Sequence, residues 1–377
     1  MNINAVSKDC IGCAACMDIC ALGAISIHCD SEGFYKPQVD DKCINCGKCL
    51  KKCPANTSKT EKKVSEFYYG WILDDTVRKN SSSGGFFSSL ANYVLSSGGV
   101  VFGAAYSNDF KSVVMESTED VSLDALRVSK YCQAFSNGMH NKIADHLKKG
   151  RKVLVVGTPC QIASLRLRFA NNENLLLVDF FCGGIAPVSA YSNYIEYLEK
   201  CYKSKVISVN MRDKSLGWNL PKIRVKFENG KVYSKRYQFD YYCHYFYGKN
   251  IKNLPCLTCK FTNHTDADIT IGDFWGYKSA NVSNDGKGIS LIAINTENGK
   301  IALDCVKTQL QLYSLDEKYA KYAYRGKDNN TQIIKQRNEF MEDVKKHSFV
   351  YAAKKHDFRY GSFGVLLKIL IRKVVRK

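Results

Sequence analysis

Cys10-Ile-Gly-Cys-Ala-Ala-Cys-Met-Asp-Ile-Cys20 and Cys43-Ile-Asn-Cys-Gly-Lys-Cys-Leu-Lys-Lys-Cys53-Pro54 follow one spacing rule, C-x2-C-x2-C-x3-C, twice within 53 residues. That spacing serves two 4Fe–4S cubes in which the fourth cysteine of each run ligates the other cube. Cys10, Cys13, Cys16 and Cys53 are therefore assigned to one cube, and Cys20, Cys43, Cys46 and Cys49 to the second. Zinc sites usually pair two knuckles that give two ligands each. A disulfide framework needs a secretory setting. Ala21 stands where a proline often follows the fourth cysteine, which loosens a turn but removes no ligand.

The residues between the runs fit a small α+β, ferredoxin-like dicluster domain over residues 1–56. Ala24 to His28 and Phe34 to Val39 flank the turn signal Asp30-Ser-Glu-Gly33 and predict a β-hairpin. Gly12, Ala14, Ala15 and Gly47 let backbone N–H groups approach the cluster sulfurs, which helps set a potential within a range of about −700 to +450 mV. Such a module passes single electrons, so the remaining chain must provide their destination.

At 377 residues the chain is long enough for a second, larger domain. The first 60 residues carry a net charge of +1 and the remainder +18, so the basic excess belongs to the second part. A basic surface attracts anionic lipid, nucleic acid or acidic redox partners. No RNA-binding or helix-turn-helix motif is visible, so nucleic acid is not expected. MNINAVSKDC lacks the apolar core of a secretion signal. With 17 cysteines this points to a reducing cytoplasm. No apolar run reaches the ~20 residues needed to span a bilayer.

Residues 57–66 are polar and read as a linker. Beyond them, Phe67 to Leu73, Val100 to Ala105, Val153 to Val156, Leu175 to Phe181, Ile207 to Met211, Ile223 to Phe227, Ile269 to Ile271 and Ile289 to Ile294 predict strands. Phe86 to Leu95, Asn141 to Lys148 and Ala190 to Tyr197 have helical periodicity, with Ser81, Ser82 and Ser83 available to cap the first. The alternation predicts a larger α/β domain over residues 67–345. Residues 346–377 are read as a basic amphipathic tail. Phe363, Leu366, Leu367, Leu370, Ile371 and Val374 fall at helical spacing beside Lys368, Arg372 and Arg376, a pattern suited to peripheral membrane contact.

Four segments of the large domain carry chemistry. Ser81-Ser-Ser-Gly-Gly85 is a turn that lets a ring or phosphate come close. Gly157-Thr-Pro-Cys-Gln161 ends a strand and opens a helix, where α/β proteins bind cofactors. Phe181-Cys-Gly-Gly184 repeats that arrangement. Cys256 and Cys259 form a C-x2-C knuckle, ambiguous alone between zinc, a redox dithiol and cluster ligation. Cys160 and Cys182 are placed to complete it as a third 4Fe–4S site. Cys29, Cys132, Cys201, Cys243 and Cys305 have no partners in the pattern and read as packed thiols. The seven histidines show no catalytic pairing and receive no role.

SSSGGFFSSL, SKYCQ (129–133), GTPCQ, FFCGG, RDKSLGW (212–218), CLTCKF, ADITIGDFWG (267–276) and NDGKGISLIAINT (284–296), in that order, resemble the β-subunit family of coenzyme F420-reducing hydrogenase and dehydrogenase. The resemblance implies an iron–sulfur flavoprotein oxidoreductase. Clusters exchange single electrons with FAD, which exchanges hydride with a small organic acceptor, of deazaflavin or another type. It implies flavin or acceptor contacts at Ser83, Gly84, Gly85, Lys130, Gly157, Thr158 and Gln161. Lys130 would balance an anionic reduced flavin, and its alternative reading is a solvated lysine. Arg212 with Asp213 reads equally as a structural turn pair, and Asp273 as a ligand-orienting or turn-capping group. A ferredoxin-like or other redox protein is the expected partner. The alternative is a non-enzymatic electron-transfer subunit of a larger complex.

Overall fold

The computed structural model describes residues 1–57, 66–120, 123–136, 138–170, 172–261, 266–320, 323 and 330–356. The sequence-predicted helix at 362–377 and most of the 57–66 linker lie outside them.

The N-terminal domain runs α1 (Ala15–Ile19), β1 (Ile25–Cys29), β2 (Tyr35–Val39) and α2 (Lys48–Lys51). β1 and β2 form an antiparallel hairpin, Ile25 opposite Val39, with Asp30 closing the turn through the N–H groups of Glu32 and Phe34. Ile3, Ile25 and Ala55 pack around Cys16, Cys49 and Cys53, so sulfur replaces much of the hydrocarbon core that a domain this small cannot supply.

The large domain begins with β3 (Glu66–Ile72), α3 (Asp75–Asn80), α4 (Phe86–Ser96), β4 (Val100–Tyr106), β5 (Val113–Thr118) and β6 (Ala134–Phe135). It continues with α5 (Met139–Lys148), β7 (Val153–Gly157), α6 (Pro159–Phe169), β8 (Leu175–Phe180) and α7 (Val188–Tyr202). β9 (Val206–Asp213), β10 (Lys222–Phe227) and β11 (Val232–Arg236) follow, then α8 (Tyr241–Tyr247), α9 (Leu254–Leu257) and β12 (Ile269–Asp273). β13 (Ser290–Ile294), α10 (Glu297–Val306), β14 (Leu310–Leu315), α11 (Glu317–Ala320), α12 (Thr331–Lys346) and α13 (Phe349–Lys355) complete it.

Nine strands make one mixed sheet in the order β14-β3-β13-β12-β8-β7-β4-β5-β6. β12, β8, β7 and β4 run parallel at its centre. Their continuous apolar runs are explained by cover on both faces. Val101, Leu154, Leu176 and Val178 face α4 and α10, whereas Val100, Phe102, Val153, Val155, Leu175 and Leu177 face α5 and α6. β9, β10 and β11 form a separate antiparallel sheet packed with α7, α8, α12 and α13. Among the described residues, no helix is long and apolar enough to cross a membrane.

Two differences from the sequence-based expectations have physical causes. The residue before α4 is Gly85, at φ +89°, with no side-chain cap, while Ser81, Ser82 and Ser83 bond elsewhere. The expected tail starts with packed residues, because Phe349, Ala352 and Ala353 are buried in the core shared with Tyr194 and Tyr242.

The two domains are tied by buried polar contacts. Gln133 Nε2 donates to Tyr35 O and Ile11 O, its Oε1 accepts from Tyr35 N at 2.7 Å, and Ser136 Oγ donates to Cys13 O at 2.8 Å. Asp18 caps the start of α5 by accepting from His140 N at 3.1 Å. Arg337 of α12, buried, forks onto both carboxylate oxygens of Glu32 in the hairpin turn. Burial alone would raise the Glu32 carboxyl. The hydrogen bonds and charge of Arg337, helped by Lys345 and Lys36, outweigh it and hold the group below its ordinary 4.5.

Glu32→Ala leaves the Arg337 guanidinium buried without its counter-charge and should cost about 2–3 kcal/mol, measured as a lower denaturant midpoint under anaerobic conditions. The stabilisation exists above pH 4.5 and is lost as pH falls beneath it, because the folded carboxyl titrates lower than the unfolded one. Glu32→Gln should flatten that acid limb.

Gly12, at φ +72°, lies where a Cβ would come within 2.0 Å of Gln133 Nε2 and 2.6 Å of Tyr35 O, whereas Gly23, at φ +60°, faces open space. Gly12→Ala should therefore destabilise by about 1–3 kcal/mol more than Gly23→Ala, the difference being the overpacked domain contact rather than backbone strain.

Candidate iron–sulfur centre

Cys10, Cys13, Cys16 and Cys53 are gathered within electrostatic reach of one another. Burial pushes the Cys13 thiol up to about 12, with the charges of Cys10 and Cys53 adding to the effect, and it drives Cys16 upward too. Four such thiols do not ionise together without a cationic core to bind them. Gly12 N donates to Cys10 Sγ at 3.4 Å, and Lys36 Nζ donates to Cys10 O. The other set sits further out. Cys49 is buried and Cys20 half-buried beside Cys16 and Cys53, while Cys46 is exposed next to Ile44, which is 72% exposed. Asn2 Nδ2 points at Cys43 Sγ from 3.8 Å.

A second gathering of thiols lies at the carboxyl ends of the central parallel strands. Cys160 opens α6 directly after β7, and Cys182 follows the adjacent β8. Cys256 and Cys259 come from α9 and the turn after it. The charges of Cys182, Cys256 and Cys259 all bear on Cys160, whose thiol burial drives well above its usual range. Burial likewise pushes Cys256 up to about 12. Gly184 N donates to Cys182 Sγ at 3.3 Å and Phe261 N to Cys259 Sγ at 3.4 Å. This is the same i to i+2 N–H···S turn that Gly12 makes at Cys10. Gly184, at φ +99°, permits the approach: a Cβ there would meet Cys256 Cβ at 3.3 Å and Lys252 Cδ at 3.1 Å. Among the described residues no three His, Cys, Asp or Glu side chains converge tightly enough for a single ion.

The residues expected at a flavin fall into two groups. Ser83, Gly84 and Gly85 lie in the turn before α4, packed between β3 and β13. Ser83 Oγ donates to Ile289 O, and Gly84 N donates to Ser290 Oγ. Ser82 Oγ accepts from Ser129 N at 2.8 Å, which brings the Ser129–Gln133 segment against this turn. Lys130 is not a solvated lysine. Its Nζ donates to Arg127 O and Val128 O, 5.3 Å from the centre of the Tyr106 ring, and burial pushes it down to about 7. Gly157, Thr158 and Gln161 form the second group, at Cys160. Gln161 Oε1 accepts from Thr158 N at 3.0 Å and closes a capping box, and Thr158 Oγ1 sits 3.1 Å from Cys160 Sγ.

Arg212 and Asp273 form a hub beside the first group. Arg212 Nη2 donates to Ser82 O and to Asp273 Oδ1, which also accepts from Trp218 Nε1 at 2.9 Å. Trp275, 42% exposed, stacks on Trp218 with ring centres 4.7 Å apart. Arg212 Nε is buried with no partner. Asp213 instead pairs with Lys222 and Arg224. Of the cysteines outside the pattern, Cys132 and Cys243 are buried, but Cys29, Cys201 and Cys305 are exposed.

Three residues at the domain contact were not singled out from the sequence. Ser164 is fully buried on α6 and donates to Gln161 O at 2.7 Å. His140, whose imidazole burial pushes down to about 3 with help from Arg168, lies 3.1 Å from Ser164 Oγ. Lys260 Nζ donates to Ala55 O and Thr57 O, just past Cys53. The only trace in the sequence was position: Ser164 one helical turn after Cys160, and Lys260 next to Cys259.

Residues 9–57 match the family description "4Fe-4S dicluster domain". Residues 67–139 and 150–318 match the N-terminal and C-terminal parts of "coenzyme F420 hydrogenase/dehydrogenase, beta subunit". An uncharacterised ferredoxin of Methanocaldococcus jannaschii is 38% identical over 49 residues, which are 13% of this chain and 64% of that protein. A chain of the F420-reducing NiFe hydrogenase complex of Methanosarcina barkeri superposes with a TM-score of 0.48 at 17% identity, over 76% of this chain and 95% of that one. Matched in both its parts, and preceded by an electron-carrying dicluster domain, the chain belongs to the coenzyme F420 hydrogenase/dehydrogenase beta-subunit family as an iron–sulfur redox protein.

Proposed function

We propose that the chain is an iron–sulfur flavoprotein oxidoreductase that moves electrons between its cubes, FAD and a small organic acceptor. The gathering of Cys160, Cys182, Cys256 and Cys259 beside the dicluster domain is the observation that most supports this reading. Those four thiolates would hold a third 4Fe–4S cube. The other eight ligands follow the spacing, Cys10, Cys13, Cys16 and Cys53 for one cube and Cys20, Cys43, Cys46 and Cys49 for the other.

FAD would supply the conversion between single electrons and hydride. The groups around the turn before α4 fit a flat anionic ring. Arg212 offers a buried N–H donor with no partner, Trp275 an exposed ring face, and Lys130 and Lys214 two largely buried amines. Desolvation pushes both amines down to about 7, so each gains or loses its proton near neutrality and can follow the charge of a neighbouring ring. The acceptor belongs to the deazaflavin class or another small organic class, and the donor to the one-electron redox proteins. The many thiols support a reducing cytoplasm as the compartment, and membrane contact by residues 362–377 is proposed from their sequence alone.

One observation favours the second reading, an electron-transfer subunit without its own acceptor chemistry. The side-chain groups of Ser82, Ser83 and Gln161 are already engaged by the protein itself. Acceptor-dependent reoxidation of the isolated, reduced chain separates the two, since a pure relay shows none.

Anaerobically purified protein should contain about twelve irons and one FAD per chain. Cys182→Ser should remove about four irons and leave the dicluster signals in place. About eight irons in the parent chain would overturn the third cube.

A further inference from the structure

The nine-stranded sheet ends on one side at β6, two residues long, where Phe135 meets Tyr35 of the dicluster domain with ring centres 5.2 Å apart. On the other side it ends at β14, six residues long. An edge strand offers unpaired backbone groups to any other strand, and proteins blunt such edges with brevity, lysine, proline or a bulge. This chain uses those devices elsewhere. β6 is short, β11 carries Lys235 and Arg236, and β2 carries Lys36 and Pro37. β14, Leu310-Gln-Leu-Tyr-Ser-Leu315, has no charge, no proline and no glycine, and it pairs with β3 through all six residues in one unbroken register.

The direction of its backbone groups follows from one bond. Gln309 O accepts from Leu73 N at 2.9 Å. Residues alternate along an antiparallel strand, so Gln311, Tyr313 and Leu315 turn their N–H and C=O groups to β3, and Leu310, Leu312 and Ser314 turn theirs outward. Lys307 O takes the Leu310 N–H. Among the described residues, nothing bonds the outward N–H groups of Leu312 and Ser314. The surface beside the edge is apolar. Tyr313 and Leu73 are 41% and 57% exposed, and Tyr313 stacks on Tyr69 with ring centres 5.0 Å apart. Exposed Lys307 and Glu317 lie just beyond opposite ends of the strand.

We propose that β14 is a dimerisation edge that pairs antiparallel with β14 of a second copy of this chain. The strand is self-complementary about a twofold axis at Leu312. There the two Leu312 residues exchange both N–H···O bonds, and each Ser314 N–H donates to Leu310 O of the other copy. Gln311 stands opposite Tyr313, so no charge within the strand opposes a like charge. The Lys307 end of each strand meets the Glu317 end of the other, a match that exists only in the antiparallel arrangement a twofold imposes. The same patch is used on both copies, so the contact closes at two chains and leaves neither β14 edge free.

The test is sedimentation velocity of the full chain over a concentration series, prepared without oxygen and in reductant so that exposed Cys305 forms no disulfide. Iron content is measured for each variant. The parent should sediment at twice the chain mass and dissociate on dilution. Ser314→Pro removes an N–H that β3 does not use, and it should give a monomer with unchanged iron. Ser314→Lys keeps the N–H but charges the edge, and it should give the same result should the proline variant fail to fold. Lys307→Glu and Glu317→Lys should each weaken the dimer about tenfold, since either change breaks two pairs at once. The combined variant should restore it. A parent that is monomeric throughout, a dimer indifferent to both Ser314 variants, or a combined variant no tighter than the single ones would overturn the antiparallel pairing. A monomeric parent whose Leu312 and Ser314 amides exchange slowly with solvent would give the edge to another segment of this chain and overturn the second copy.

Discussion

Burying a thiol is easy, and burying four ionised thiols side by side is not. Every gathering of cysteine in this chain is governed by that constraint. Burial drives Cys13, Cys16, Cys160 and Cys256 upward, and the charges of neighbouring thiols push the same way. Without a metal core these sites are clusters of neutral, unreactive thiols inside the protein. With one, the thiolates form and their charge is balanced from within. Folding of the small domain is coupled to that event, because Cys16, Cys49 and Cys53 are themselves much of its core. The large domain has ample hydrocarbon core of its own and depends less on its thiol site.

The same constraint shapes the domain contact. Cluster-bearing loops expose backbone carbonyls that have no secondary-structure partner, and buried carbonyls need one. The large domain supplies donors: Gln133 to Ile11 and Tyr35, Ser136 to Cys13, Lys260 to Ala55 and Thr57. The domains are therefore joined by satisfied polar groups near the sulfurs rather than by a broad apolar patch. Close approach there requires Gly12, where a side chain would strike Gln133.

How much of this the sequence carried depended on the range of each signal. Local signals were strong. Cysteine spacing, the Asp30–Gly33 hairpin turn and the apolar runs of β4, β7, β8, β12 and β13 depend only on residues close in the chain, and all were legible. Weaker patterns were missed. β5 and β14 are only partly buried, with polar residues at their exposed positions, and α12 buries only Arg337, Phe340 and Met341 along a narrow stripe, so neither strand nor helix periodicity stood out. The serines before α4 look like caps in isolation, but tertiary partners in Ile289, just before β13, and the Ser129 segment take two of them. Ser164 and His140 were invisible because a lone serine in a helical run and a lone histidine carry no pattern. Their link to the dicluster domain, through Asp18 and the His140 N–H, exists only once two domains meet.

Charge completes the picture. Each oxidised four-thiolate cube carries about −2, and the chain sets lysines near the sulfurs. Burial raises the thiols of Cys10, Cys53 and Cys256, and the charges of Lys36, Lys260 and Lys252 beside them offset part of that rise. An ammonium near a cube favours the reduced, more negative state, as does the N–H···S bond at Cys10. Part of the +19 net charge thus compensates the sites inside the protein. The buried amines of Lys130 and Lys214 differ, because desolvation rather than a thiolate sets their state. Lys36 and Lys260 lie near the dicluster thiols, whereas the amines whose protons exchange near neutrality lie by the turn before α4. A two-electron step that also moves a proton needs the second environment, and a cube that moves only an electron needs the first.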